Sequence, residues 1–298
     1  MVGHIVVVGS LNMDLVVRAP RHPQPGETLL GSEFHTFPGG KGANQAVAAA
    51  RLGGRVKMIG RVGADAFGKS LIQTLANDGV DTGQVKQLGV ATGVALITVD
   101  DAGQNTIVVV PGANGELSSP DLLAAESIFE GASLVVMPLE IPMLTVMCAA
   151  DLAHRNGARV ILNPAPAQPL GSTLLKQVDV LIPNQPEAAL LSGAASASES
   201  ARRLRASGVR SVIVTLGEDG VLIVEDETEI RLPAHRVSVV DTTAAGDAFV
   251  GAFAVALSEG RSAREAAAWG NAAGALAVTR AGAQPSLPAR AELEQFLA

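Results

Sequence analysis

The sequence predicts an α/β fold: a central, mostly parallel sheet with helices on both faces, plus a small antiparallel β sheet standing off it. Three observations carry this. Short β-branched runs alternate with Ala-rich stretches of helical period, the rhythm of βαβ units. Of 298 residues, 48% are apolar and only 17% charged, so a large core can be buried. Aromatic residues make up 3% and Tyr is absent, which leaves the core to Val, Leu, Ile and Ala and suits strands covered on both faces.

Residues 5–8, 56–59, 134–136, 160–162, 180–182 and 212–215 read as buried strands. Residues 43–52, 68–77, 142–156 and 198–207 read as the helices between them, and 247–258, 263–279 and 289–297 as the closing helices. The small polar tract 194–200 reads as a loop. Two segments break the rhythm. Residues 93–99 and 106–110 are β-rich and are joined by Asp100-Asp101-Ala102-Gly103, a hairpin turn signal. Residues 15–18 and 28–31 read as further short strands of the same small sheet. Val94, Leu96, Ile97, Val99 and residues 108–110 make both of its faces apolar. Either one face packs on the main body and the other is merely apolar, or the sheet covers a ligand and pairs with a second subunit. A large apolar patch marks an interface more often than not, which favours the second reading. The chain reads as a single domain over 1–298, with the small sheet drawn from about 15–36 and 92–110. No internal repeat or low-complexity tract interrupts it.

The net charge of −7, with no run of Lys or Arg, argues against a nucleic-acid partner. The single cysteine, Cys148, excludes an internal disulfide, and its apolar surroundings predict a packed, inert thiol. No His/Cys spacing matches a zinc site. The apolar run 5–8 is too short for a signal-peptide core, and no stretch approaches the ~20 apolar residues of a membrane span. A soluble, cytoplasmic protein is expected.

Three segments carry chemistry. In Asp241-Thr242-Thr243-Ala244-Ala245-Gly246-Asp247, a turn of small residues enters an Ala-rich helix. The backbone N–H groups of Ala245, Gly246 and Asp247 would be free there and would attract an anion. A carboxylate beside a bound phosphate is out of place unless Asp247 accepts a proton from an attacking hydroxyl. As a first-turn acid of an ordinary helix it is equally at home. Gly39-Gly40-Lys41-Gly42-Ala43-Asn44 is not a P-loop, because the spacing is wrong and no Ser or Thr follows Lys41. Its glycines allow close backbone approach, and Asn44 offers a donor and an acceptor, as recognition of sugar hydroxyls requires. A plain glycine turn before a helix is the bland alternative. Asn12 and Asp14 follow the first strand, where open α/β sheets bind ligands. An Asp there can grip two vicinal hydroxyls; both residues can also simply cap a turn. Asn184-Gln185-Pro186-Glu187, Thr215-Leu216-Gly217-Glu218-Asp219-Gly220 and Glu140 also follow strands, and alone each reads as a polar turn. A Rossmann oxidoreductase is excluded, because no G-x-G-x-x-G follows Gly9.

Taken together and in this order, the segments resemble the PfkB family of carbohydrate kinases over essentially the whole chain. Gly39 to Asn44, followed by Gly53 and Gly63, is similar to the family's N-terminal signature, and Asp241 to Asp247 to its C-terminal one. The resemblance implies ATP-dependent phosphorylation of a sugar, D-ribose at its 5-hydroxyl first. Another family activity is the alternative, 2-deoxyribose before a nucleoside, and after it a non-catalytic sugar-binding regulator on the same fold. It implies roles as well. Asp247 would be the general base, with Ala244, Ala245 and Gly246 as an anion hole. Asn12, Asp14, Gly40, Lys41, Asn44 and Glu140 would bind the sugar. Asn184, Thr215, Leu216, Gly217, Glu218, Asp219, Gly220, Gly246 and Asn271 would hold ATP. Glu187 would organise Mg²⁺ through water. Asp241, Thr243, Ala277, Arg280, Gly282 and Ser286 would hold an activating K⁺. The stray sheet resembles a lid that also makes a homodimer contact. Many members have Gly where this chain has Ala244, and the position of Asn271 varies within the family.

Overall fold

The computed structural model describes residues 3–298. The chain begins with β1 (His4–Val8), β2 (Asn12–Arg18), β3 (Glu33–Gly39), helix α1 (Lys41–Arg51), β4 (Val56–Gly63), α2 (Ala66–Asn77) and β5 (Asp81–Leu88). The hairpin β6 (Gly93–Val99) and β7 (Asn105–Val110) follows, then α3 (Ser119–Ala124), β8 (Ala132–Met137), α4 (Met143–Arg155) and β9 (Arg159–Leu162). The second half runs through α5 (Ser172–Leu175), β10 (Val180–Leu181), α6 (Gln185–Ser192), α7 (Ala197–Ala206), β11 (Ser211–Thr215), β12 (Val221–Glu225) and β13 (Thr228–Leu232). It closes with α8 (Ala245–Ser258), α9 (Ala263–Ala277) and α10 (Arg290–Leu297).

Nine strands form the main sheet in the order β13-β12-β11-β10-β9-β8-β1-β4-β5. From β5 to β11 every pairing is parallel, and β12 and β13 extend the edge antiparallel. Alternate residues of each strand feed two cores, as a period of two demands. Ile5, Val7, Leu134, Val136, Ile161 and Ile213 face the core built with α1, α8 and α9. Val6, Val8, Val135, Met137, Val160, Leu162 and Val212 face the one built with α4 and α7.

The fold class stands as the sequence predicts it, but several elements differ. β5 and β13 are edge strands with half-exposed, polar-rich sequences that carry little hydrophobic signal. β12 is a buried run that turns straight back from β11 with no helix between, outside the βαβ rhythm. Helix α7 already begins at Ala197, inside the tract expected to be a loop. Residues 28–31 are not a strand. The partner of β2 is β3, with Asn12 opposite Gly39 and Arg18 opposite Glu33. Pairing along a whole strand outweighs the local propensity of 28–31.

The small sheet has the order β3-β2-β6-β7. Its outer pairings are antiparallel, while β2 and β6 run parallel. Phe34, Leu96, Ile107, Val108, Val109 and Val110 are all exposed, Val108 to 61%. Among the described residues, no helix is long and apolar enough to cross a membrane.

Candidate active site

The carboxyl ends of the parallel strands deliver the polar side chains to one edge of the main sheet. Ser10 and Asn12 follow β1, Glu140 follows β8, Asn163 follows β9, Asn184 follows β10, and Thr215 ends β11. This is the crevice where open α/β sheets bind ligands.

The glycine turn brings α1 against this edge. Gly40 has φ of +89°, and a Cβ there would lie 2.6 Å from the Asn12 backbone nitrogen. Only glycine allows that approach. Farther along, Gly251 of α8 lies where a Cβ would come 2.5 Å from the Ala48 Cβ of α1. The two helices therefore pack closely enough for α1 side chains to reach the start of α8. Asn44 Nδ2 donates to Asp247 Oδ2 and Gln45 Nε2 to Asp247 Oδ1, each at 3.0 Å. All three side chains are buried.

A second carboxylate, Glu140, gathers three donors on one oxygen. Ser10 Oγ donates at 2.5 Å, the Lys41 backbone N–H at 3.0 Å and Asn12 Nδ2 at 3.5 Å. Asn114 Nδ2 donates to Asn12 Oδ1 at 2.8 Å and to the Leu11 carbonyl at 3.0 Å, which fixes the Asn12 amide. A third, Asp14, lies against Gly39. Burial, and then the negative charges of Glu140 and Asp247, push its carboxyl up to about 7, with Lys41 pulling the other way. The Lys41 ammonium is raised, first by Asp247 and then, against its own burial, by Glu140, Glu187 and Asp14. The result is a cluster of acids around one cation. A cleft of about 420 Å³ opens beside Asn12 and Glu140, with Val109 of the small sheet on its wall.

The turn before α8 is strained where the sequence departs from the family pattern. Ala244 has φ of +60°, a left-handed conformation that suits glycine. The Ala245 N–H is not free, because it donates to the Thr242 carbonyl at 3.3 Å. That corrects one of the three N–H groups expected to be open. Gly246 and Asp247 occupy the first turn, where no intrahelical acceptor exists.

The turn is tied down from behind. Asp241 Oδ1 accepts from the Thr243 N–H at 2.9 Å and from its hydroxyl at 2.6 Å, while Oδ2 accepts from the Gly282 N–H at 2.8 Å. Burial works against this carboxylate, but these bonds and the nearby Arg18 charge hold it below the usual range. Ser286 is buried and donates to the Ala283 carbonyl, and the Ala277 carbonyl accepts from the Arg280 N–H. The Arg280 guanidinium pairs with Glu292 of α10.

On the far side, Asn184 and Glu187 form a reciprocal cap of α6: Glu187 N–H donates to Asn184 Oδ1 at 2.8 Å and Asn184 N–H to Glu187 Oε2 at 2.9 Å. Burial pushes the Glu187 carboxyl up, against its bond from Asn184 and the Lys41 charge. Asn184 bridges Thr215, and Leu216 N–H donates to the Gly220 carbonyl at 2.8 Å to close the 215–220 turn. Glu218 and Asp219 are exposed on that turn. Asn271 of α9 donates to the Pro233 carbonyl at 2.8 Å. The sequence reading missed Gln45, Asn163, Ser10 and Asn114. Asn163 and Ser10 had a usable signal, since each is a polar residue just after a strand.

The chain belongs to the pfkB family of carbohydrate kinases, whose family description matches residues 2–290. It is a phosphotransferase with an alcohol acceptor. Among its relatives, a ribokinase of Haemophilus influenzae is 41% identical over 98% of both chains. A deoxyribokinase of Salmonella typhimurium is 36% identical over 98% of both. The solved ribokinase of Thermotoga maritima superposes with a TM-score of 0.93 at 40% identity, covering 99% of each chain. An Arabidopsis thaliana ribokinase complexed with ribose and ATP superposes with a TM-score of 0.91 at 34% identity, over 100% of this chain and 99% of that one.

Proposed function

We propose that the protein transfers the γ-phosphoryl group of ATP to the 5-hydroxyl of D-ribose, giving ribose 5-phosphate and ADP. The observation that supports this most is Asp247, buried at the head of α8 and gripped by two amides beside a single cation, Lys41. In this reading the hydroxyl oxygen attacks the γ-phosphorus, the bond to the ADP oxygen breaks, and Asp247 takes the hydroxyl proton. Asp14, Asn12, Asn44, Lys41, Gly40 and Glu140 hold the sugar. The first-turn N–H groups at Gly246 and Asp247 face charge developing on the phosphate, with Ala244 and Ala245 shaping the turn. Residues 215–220, Asn184 and Asn271 hold the nucleotide.

Two ions belong to the reading. Glu187 has one carboxylate oxygen outside the cap and a burial-raised pKa that a neighbouring cation would relieve. That fits Mg²⁺, which is commonly held by one or two carboxylates plus substrate phosphates and neutralises phosphate charge. The loops tied by Asp241 offer oxygen donors around Thr243, Ala277, Arg280, Gly282 and Ser286, which fits K⁺ as a fastener of the turn before α8. The exposed apolar strand β7, with Leu96 of β6 beside it, supports a lid that excludes water and forms a homodimer. We also place the protein in the cytoplasm.

The test is an ADP-release assay over ribose, 2-deoxyribose, fructose and adenosine. Ribose should give the highest kcat/KM. A preference for 2-deoxyribose would move the assignment to a deoxyribose kinase, and sugar binding without ADP release to a regulator. Sedimentation should show a dimer at micromolar concentration, and a fully active monomer would reject the lid contact.

A further inference from the structure

Behind the residues that would touch substrate, a buried line of amides reaches the same carboxylate. The Ile182 carbonyl accepts from Asn163 Nδ2 at 2.8 Å. Asn163 Oδ1 accepts from Gln45 Nε2 at 3.0 Å, and Gln45 Nε2 also donates to Asp247 Oδ1 at 3.0 Å. Gln45 is 1% exposed and Asn163 8%. The polarity of this line is set at its far end. A backbone carbonyl can only accept, so Asn163 must turn its NH₂ toward Ile182 and its oxygen toward Gln45. Gln45 must then present its NH₂ to Asn163, and the second hydrogen of that group points at Asp247.

We propose that Gln45 and Asn163 are positioning residues for Asp247. The relay fixes one oxygen of the carboxylate and leaves the other to Asn44 and the acceptor hydroxyl. It also ties the start of α8 to the end of β10, from which the Asn184–Glu187 turn departs. The proposal rests on the kinase reading above.

A purely structural role explains the relay poorly. Gln45 stands among Ala43, Ala46, Val47, Ala48 and Ala49, all buried and apolar. Its own Oε1 is buried with no hydrogen-bond partner. An unpaired buried carbonyl disfavours folding, so if packing alone were at stake, apolar residues of the same shape at both Gln45 and Asn163 would serve the core as well. What the glutamine supplies is a directed donor at Asp247.

The experiment compares Gln45→Met, Asn163→Leu and the double variant with the wild type, after thermal melts establish that each is folded at the assay temperature. Gln45→Met should lower kcat by about 10–100-fold, the scale of an ångström-sized misplacement, with the KM values for sugar and ATP changed less than about threefold. Asn163→Leu should lower kcat in the same sense, and the double variant should be no worse than Gln45→Met. A folded Gln45→Met enzyme with kcat within about twofold of wild type overturns the proposal; if that variant does not fold, the same criterion applies to Asn163→Leu. A second readout does not depend on turnover. In ¹H–¹⁵N spectra the Gln45 side-chain amide pair, assigned from its absence in Gln45→Met, should shift in Asp247→Asn and in Asn163→Leu. A pair unmoved by Asp247→Asn overturns the relay even if the enzyme is a ribose kinase. A wild type that does not phosphorylate ribose sinks the functional reading, while the spectra still decide the relay.

Discussion

The two sides of the site are made of different material. On the side proposed to hold the sugar, Asn12, Asp14, Asn44 and Asp247 are 2–9% exposed, and Asn12, Asn44 and Asp247 are held by side-chain hydrogen bonds from segments more than a hundred residues away. On the side proposed to hold the nucleotide, Asn184, Gly217, Glu218 and Asp219 are exposed. Its 215–220 turn keeps its shape through the backbone, with the Leu216–Gly220 bond and positive φ at Gly217 and Gly220. A desolvated wall discriminates between hydroxyls, because a missing partner leaves a buried group unpaired. A backbone-shaped wall can hold phosphates and a base without relying on any one side chain. Substitutions should therefore hurt on the first side and matter little on the second.

The largest effect is expected at Asp247. Asp247→Asn should lower kcat by ~10²–10⁴ while calorimetry still shows sugar and ATP binding. Near-normal turnover would place the proton acceptor elsewhere.

Asp14 comes next. A carboxylate accepts from two adjacent hydroxyls, and 2-deoxyribose lacks one of them. Bonds to a charged group are worth ~1.5–3 kcal/mol, so kcat/KM should favour ribose by roughly one to two powers of ten. Asp14→Asn should shrink that preference, and unchanged discrimination would pass the role to Asn12 or Asn44. The same residue gives a pH dependence. Its carboxyl is raised to about 7 by burial and by Glu140 and Asp247, so the free enzyme holds a proton there below pH 7. Hydroxyls that donate to the carboxylate favour its ionised form, so sugar binding releases that proton as pH falls below 7. KM for ribose should be about tenfold higher at pH 6 than at pH 8, and Asp14→Asn should flatten the difference. The sign for stability is opposite. The folded state retains the proton between the ordinary carboxylate range and about 7, so this residue favours folding less as pH rises through that window.

A smaller, few-fold effect is expected from the loops behind the turn. Replacing Na⁺ by K⁺ at constant ionic strength should raise activity by about fivefold, the low end of an allosteric coupling. Equal rates in both salts and in cation-free buffer would count against the cation role of Asp241. The smallest effect belongs to Asn271. Its amide already donates to Pro233, so Asn271→Ala should raise KM for ATP by less than about threefold. A much larger rise would show that the nucleotide side depends on side chains after all.

Local chemistry was readable from the sequence alone. The β-branched runs that become β1, β8, β9 and β11, the glycine turn before α1 and the small-residue turn before α8 are each specified within about ten residues by steric and hydrophobic rules. Strand ends then pointed to Asn12, Asp14, Glu140 and Asn184, because a parallel sheet gathers its carboxyl ends on one edge. Tertiary structure alone decided the partners. Whether residues 28–31 or 33–39 pair with β2 depends on a register that runs the whole length of that strand. The Ala245 N–H is closed by a turn whose shape follows from the left-handed Ala244 and the Asp241 clasp on Gly282. Asn163 shares only the strand-end position of its neighbours, and Gln45 carries no pattern of its own, since a lone amide in a helix has no period and no spacing. Gln45 meets Asp247 across 202 residues and Asn163 across 118, and a contact at such separation exists only once helices and sheet have packed. A hydrogen bond is fixed by distance and direction in space, and those are properties of the fold rather than of neighbouring residues.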